Sequence, residues 1–334
     1  MTSRRRRRVL FICGSLNQTT MLHAVGRHLP DCECRYTPYY GDGLIRWLAG
    51  RGLLDFTVLG GPMRRMTDRH LRQHGLPLDE RGSEGGYDLA VTCSDVVVQR
   101  NVRGLPLVLV QEGMTDPEQL RYRLVRSLHL PRWIAGTAAT GLSHAYTRFC
   151  VASEGYRELF VAKGAPRERL VVTGIPNFDD CRAFLRNDFP HRGYVLVATT
   201  DTRETFKHDD RAAFLARVAA IAAGRPLIFK LHPNENARRS GEEIRARFPD
   251  ALVFASGDVN HMIANCDVLV TQQSSVVFVG LALGKECHSD FDLARLRQLV
   301  PLQNGGSSAR RIAAVCRRLL AERAAAPVPA RRAS

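Results

Sequence analysis

Pro226-Leu227-Ile228-Phe229-Lys230-Leu231-His232-Pro233 is the stretch on which the reading of this chain turns. A short apolar run that ends in a cation, a histidine and a proline reads as a buried strand leaving a sheet at its carboxyl end. Thr271-Gln272-Gln273-Ser274-Ser275 closes a second such run, over residues 267–271, and opens a predicted helix over 275–283. The pattern extends in both directions. Strands are predicted at 9–13, 55–59, 88–93, 105–110, 149–152, 170–172, 194–198 and 251–254. Helices are predicted at 19–28, from 154 toward 162, and at 209–223, 241–247, 259–264 and 308–322, each placed by its apolar period and capping residues.

Short apolar strands alternating with helices imply parallel sheets covered on both faces. The fold class is α/β, with two doubly wound, Rossmann-like domains facing across a cleft. The expected boundaries are 1–180, then 190–323, with a disordered Ala/Pro/Arg tail over 324–334. Ligands of such sheets collect outside the carboxyl ends of the strands. That rule selects Gly14-Ser15, Gln111-Glu112-Gly113, Thr199 to Asp201, Lys230 to His232 and Gln272 to Ser275.

Composition narrows the function classes. The chain has 334 residues and a formal charge of +15, but only four of its 48 basic residues are lysines (163, 207, 230 and 285). So strong an arginine bias reads as coding preference and solvated surface. No aromatic-interleaved basic stripe, zinc spacing or recognition helix accompanies the charge, so no specific nucleic-acid partner is expected. Arg4 to Arg8 form a cluster that reads as a solvated leader before the first strand, or as a point of peripheral attraction to anionic lipid headgroups. No apolar run approaches the roughly 20 residues of a membrane span, and a cytoplasmic location is expected. The nine cysteines are odd in number and lack two-residue spacers, so reduced thiols are expected. Neither the cysteines nor His261, His288 and the N-terminal histidines show ligand spacing. No metal site and no cofactor is read.

The candidate residues divide by chemistry. Ser274 and Ser275, with Gln273 beside them, stand where free backbone N–H groups and a helix dipole would favour a phosphate; plain helix capping is the other reading. His232 can donate to a phosphate oxygen, Lys230 on the same side of the strand would add a charge, and Pro233 would stiffen the turn. Glu112 appears abruptly after an apolar strand, beside a permissive Gly113, and is the candidate general base. Asp95, Asp116 and Asp201 are weaker acidic alternatives. Thr199 and Asp201 would lie near a nucleotide, and Gly14-Ser15 would admit a sugar or phosphate.

These residues resemble a known pattern. From about residue 9 to 320 the chain is similar to GT-B proteins of the sugar-nucleotide superfamily. Bacterial capsule-type sialyl-, polysialyl- and Kdo transferases carry acidic-Gly, His-Pro and Ser-Ser motifs in the order of Glu112-Gly113, His232-Pro233 and Ser274-Ser275. The resemblance implies a base, a nucleotide-phosphate binder and a phosphate binder respectively; Gln111 stands where those families often have a second acid. UDP-N-acetylglucosamine 2-epimerases are the second branch, matched by residues 171–174 with Pro176-Asn177 and by His232-Pro233-Asn234. The chain lacks their His-Xaa-Glu near Glu112 and has Ser274-Ser275 in place of their Gly-Gly. CDP-glycerol-type polymer transferases share the fold, but their His-Gly motif is missing near residue 112.

The expectation is a metal-independent glycosyltransferase moving a sugar from a nucleotide-sugar donor to a polysaccharide, glycolipid or secondary-metabolite acceptor. Catalysis would rest on Glu112 and His232. Epimerisation is the alternative, and sugar-nucleotide binding without turnover is the third reading.

Overall fold

The computed structural model describes residues 5–115, 120–128, 131–204 and 209–325. Asp116 and the tail beyond residue 325 lie outside them. The chain forms two compact units, one of residues 1–179 with 304–334 and one of residues 180–303.

In the first unit, strands β1 (Arg7–Cys13), β2 (Cys32–Pro38), β3 (Leu89–Thr92), β4 (Leu107–Val110), β5 (Arg148–Val151) and β6 (Leu170–Val172) make a parallel sheet in the order β2-β1-β3-β4-β5-β6. Val9 to Cys13, Leu89 to Val91 and Leu107 to Val110 are buried on both faces, which is why these segments read as unbroken apolar runs. Helices α1 (Leu16–Gly26), α2 (Gly43–Gly50), α3 (Gly61–Gln73), α4 (Leu120–Ser127) and α5 (Glu154–Lys163) lie between the strands in sequence.

Strands β7 (Val195–Ala198), β8 (Leu227–Lys230), β9 (Leu252–Phe254), β10 (Val268–Thr271) and β11 (Glu286–His288) form the parallel sheet of the second unit, ordered β11-β10-β7-β8-β9. They alternate with α6 (Arg211–Ala222), α7 (Ala237–Arg247), α8 (Val259–Asn265), α9 (Val277–Ala282) and α10 (Leu293–Leu299). One face of the sheet packs Val195, Val197, Phe229, Val268 and Val270 against Phe214, Leu215 and Val218 of α6 and Ile244 of α7. The period-2 alternation of strand side chains sets this face.

Several expectations are corrected. Residues 55–59 are not a strand but a turn, and Phe56 is 78% exposed. The strand in that region is β2, an edge strand whose Cys-Glu-Cys-Arg start is only half buried, so its sequence lacks an apolar run. Asp95, a weaker acidic candidate, is committed to structure: its buried carboxylate accepts from the N–H groups of Gly141 at 3.0 Å and Ser143 at 3.1 Å. Arg7 and Arg8 belong to β1 rather than to a solvated leader. Arg7 pairs with Asp88 at 3.2 Å, and Arg8 pairs with Glu33 at 3.2 Å and Glu84 at 2.5 Å. Two of the five arginines of the N-terminal cluster are thus matched by acids of their own unit. Among the described residues no helix is long and apolar enough to cross a membrane.

The last helix, α11 (Ser308–Ala325), was expected with the second half and belongs instead to the first unit. It packs on α1 and β3. Asp179 anchors its return: its carbonyl accepts from Asn304 N at 2.8 Å and its carboxylate from Ser308 N at 2.8 Å. An acidic acceptor at a helix start satisfies an otherwise orphaned N–H. Ile312 of α11 is fully buried. Ile312→Ala should therefore cost about 2–5 kcal/mol, and hydrogen exchange should show protection lost in β1 and α1 while β7 and β8 keep theirs. Loss in β7 and β8 instead would place α11 with the second unit.

Candidate functional site

Where the winding of an open parallel sheet reverses, the loops on either side part and leave a crevice at the carboxyl edge. In the first unit the reversal falls between β1 and β3, because β2 lies on one side of β1 and β3 to β6 run away on the other. The loops at that point are Gly14-Ser15 and Cys93-Ser94, with Glu112 following the adjacent β4.

The structure brings three of these residues together. Ser15 is the N-cap of α1, its Oγ accepting from Gln18 N at 3.3 Å. The same hydroxyl donates to Glu112 Oε1 at 2.8 Å, and Gln18 Nε2 donates to Glu112 Oε2 at 2.5 Å. Both carboxylate oxygens of the half-buried Glu112 are thus oriented by neutral donors, which hold the group without matching its charge. Gly14 leaves room for this arrangement: a Cβ there would stand 1.8 Å from Gln18 Oε1 and the Gln18 side chain would have to shift. That Gln18 oxygen is itself buried without a hydrogen-bond partner. Behind the site the Cys93 thiol is pushed well up, first by burial and then by the charge of Glu112, so it is a protonated wall rather than a nucleophile.

Gln111, which occupies the place of an expected second acid, has a structural task. Its Oε1 accepts from Ala152 N at 2.9 Å and its Nε2 donates to Gly113 O at 2.8 Å. The side chain ties the end of β4 to the end of β5 and fixes the turn that carries Glu112.

In the second unit the reversal lies between β7 and β10, at Thr199 to Asp201 and Gln272 to Ser275, with His232 following the neighbouring β8. Thr200 Oγ1 donates to Gln272 Oε1 at 3.0 Å, joining the two loops directly. The backbone N–H of His232 donates to Glu235 Oε2 at 2.9 Å and to Thr199 Oγ1 at 3.2 Å. Its ring Nδ1 accepts from Asn234 N at 3.2 Å, and Asp201, 3.7 Å from that nitrogen, holds the Asn234 amide at 2.8 Å. An Nδ1 that accepts leaves the proton on Nε2, so neutral His232 presents an N–H donor from a half-exposed ring. Pro233 sits exposed at the turn.

Lys230 is placed differently from the expectation that it would face a phosphate. Its side chain is buried and Nζ donates to Leu231 O at 2.8 Å. Burial lowers its pKa while Glu235 opposes that shift. The ammonium braces the strand ends. Ser274 and Ser275 are half-exposed, and Ser274 Oγ makes only a long 3.5 Å contact with Val276 N. The helix after them starts two residues later than expected, at Val277, so both serines belong to the loop. Gln273 is exposed. A depression of about 860 Å³ lined by His191, Arg192, Arg225 and Arg247 lies at the amino-terminal edge of this sheet, away from these loops.

Sequence reading missed Gln18 and Glu235. Ser15-Xaa-Xaa-Gln18 has the spacing of a capping box, but here the glutamine turns to Glu112 instead of its own helix start. Glu235 lies three residues after His232, and its buried carboxylate also accepts from Ser240 Oγ at 3.2 Å and faces Arg211 at 3.5 Å. Spacing did not reveal a further cluster either, that of His23, His70 and His74.

Neither a protein-family model nor a curated protein matches the chain. Solved structures do. The UDP-GlcNAc 2-epimerase from Neisseria meningitidis bound to UDP-GlcNAc superposes with a TM-score of 0.59 at 10% identity, covering 93% of this chain and 100% of that one. A UDP-N-acetylglucosamine 2-epimerase gives a TM-score of 0.57 at 12% identity over 98% of this chain and 99% of the other. The UDP-GlcNAc 2-epimerase from Methanocaldococcus jannaschii gives 0.53 at 13% identity, covering 93% and 99%. The fold is GT-B. At these identities the likeness concerns architecture, so the chemistry rests on the chain's own residues.

The role of Gln111 can be tested within this GT-B scaffold. Gln111→Glu removes the donor to Gly113 and buries a charge, so denaturation should show a loss of about 1–3 kcal/mol. A variant of unchanged stability would show that Gln111 does not fix the turn.

Proposed function

We propose that the chain is a sugar-nucleotide enzyme of the UDP-N-acetylglucosamine 2-epimerase type, with Glu112 as its base. The observation that carries this reading is the carboxylate at the end of β4, held at both oxygens by Ser15 and Gln18. A base must be aimed before substrate arrives, and the two neutral donors hold the carboxylate in place. In the second unit the Nε2–H of His232 and the hydroxyls of Ser274 and Ser275 serve the diphosphate. Thr199, Thr200 and Asp201 set the loops around it. Support for a UDP-sugar comes from the similar epimerases, one of which is bound to UDP-GlcNAc.

Inversion at the carbon beside the anomeric centre requires its C–H bond to break and re-form on the other face. Glu112 would take that proton. Departure of the nucleotide with the electron pair of the C1–O bond would leave a C1=C2 double bond, with donors at the phosphate stabilising the leaving group. Return of a proton to the opposite face of C2 and re-addition of the nucleotide oxygen at C1 would complete the inversion.

Glycosyl transfer is the second reading, favoured by the two hydroxyls of Ser274-Ser275, which stand where the epimerase pattern has glycines. There Glu112 would deprotonate a glycan or lipid-linked acceptor hydroxyl instead.

Reaction with UDP-GlcNAc in D2O separates the two. Epimerisation should give a 2-epimer carrying deuterium at C2. Deuterium-free sugar together with acceptor-dependent release of UDP would sink the epimerase reading and favour transfer. Glu112→Gln should lower turnover by about 10²–10⁴-fold, and near-normal turnover would remove Glu112 as base. His232→Ala deletes one hydrogen bond to a charged group, worth about 1.5–3 kcal/mol, and calorimetry should show UDP affinity down by roughly 10–100-fold. Unchanged affinity would move the phosphate elsewhere.

A further inference from the structure

We propose that His23, His70 and His74 form a binding site for one zinc-class divalent cation on the first unit. His70 lies in the last turn of α3 and His74 is the C-cap of that helix. The two are four residues apart and share a helix face. His23 reaches them from α1, which packs against α3. Each residue offers one ring nitrogen, and the three nitrogens lie within 4.8 Å of one another.

The distances suit a metal. His23 Nδ1 and His70 Nε2 are 3.2 Å apart. Tetrahedral zinc with Zn–N bonds of about 2.0–2.1 Å separates two ligand nitrogens by about 3.3–3.4 Å. His74 Nδ1 lies 2.9 Å from the carbonyl oxygen of His70. A carbonyl only accepts, so Nδ1 carries the proton and Nε2 keeps its lone pair for a ligand. Orientation of a metal-binding ring through its second nitrogen is a recurring feature of such sites. The rings are already gathered, with His70 and His74 stacked at 4.1 Å and His23 edge-on to His74 at 5.0 Å. His74 is exposed and His23 and His70 are half buried, so a cation has a path in and water has room to complete the coordination.

An imidazole-only set selects zinc, nickel, cobalt or copper over calcium or magnesium. The cation would clamp α1 to α3. Along the same pair of helices Thr67 Oγ1 of α3 donates to Gly14 O at 2.7 Å and lies 3.3 Å from Thr19 Oγ1 of α1. The clamp therefore extends a contact that already reaches the loop of Ser15.

The test uses the full chain without a histidine tag, stripped with EDTA. Zinc titration by calorimetry should give one cation per chain, and thermal unfolding should shift upward with zinc in the manner of any ligand that binds only the folded state. His74→Gln, at an exposed position, and His23→Gln should each weaken binding by about 10-fold or more, because loss of a ligand costs at least as much as loss of its outer partner. Cobalt substitution should give visible bands without thiolate charge transfer. Absence of zinc uptake, unchanged affinity in both variants, or a thiolate band assigning the cation to cysteines would each overturn the site and leave a plain histidine–histidine hydrogen bond.

Discussion

Parallel strands can be joined only by chain that returns to the edge from which it set out, and that constraint governs both units. Every strand then delivers its carboxyl end, and the loop beyond it, to the same edge. In the first unit this collects the ends of β1, β3 and β4; in the second, those of β10, β7 and β8. Helices begin where those loops end. Backbone donors, hydroxyls and the carboxylates of Glu112 and Glu235 are assembled by topology before any specific contact is considered. The side-chain bonds then refine what the winding has already placed, as Ser15 and Gln18 do for Glu112.

The two units refine their edges differently. The first holds an acid with neutral partners and walls it with an apolar strand end and a buried thiol. The second is a lattice of paired groups. Arg203 bonds to Asp209 at 2.9 Å and Glu243 at 2.9 Å, Gln272 Nε2 donates to Asp209 Oδ1 at 3.1 Å, and Glu235 braces the His232 turn. Buried charges of this kind are costly unless matched, and here they are matched within the unit. Among the described residues of this edge, His232 Nε2–H and the serine hydroxyls still have a hydrogen to donate. A donor-rich edge suits an anionic ligand, while an acid poised without a cation suits proton removal.

Most of the fold was legible because both faces of each central strand are buried. Leu107 to Val110 and Val268 to Thr271 announce themselves as apolar runs, and their ends locate Glu112 and Ser274. Reading failed where burial is one-sided or contacts are remote. The edge strand β2 is polar over half its length, and the exposed turn at 55–59 is apolar for reasons that its packing does not explain. The true role of Lys230 was hidden because alternation gives the side of a strand but not the carbonyls that await there. Gln18 and Glu235 carry legible local spacings whose partners come from elsewhere or serve an unexpected end. His23 is 47 residues from His70, and no spacing rule spans that distance.

The return of α11 to the first unit also sets an order of assembly. During synthesis the amino-terminal domain ordinarily completes first. Here residues 180–303 emerge whole while the first unit still lacks the helix that covers α1 and β3. Leu22, Val25 and their neighbours in α1 must wait for Ile312, Cys316 and Leu319. The inserted unit can close its own sheet in the meantime, since both of its ends already meet, with Cys181 N donating to Gln303 Oε1 at 2.9 Å. The nascent chain thus holds every residue of its second unit before the last helix of its first, and for that interval the apolar faces of α1 and β3, in the unit bearing Glu112, are the ones left uncovered.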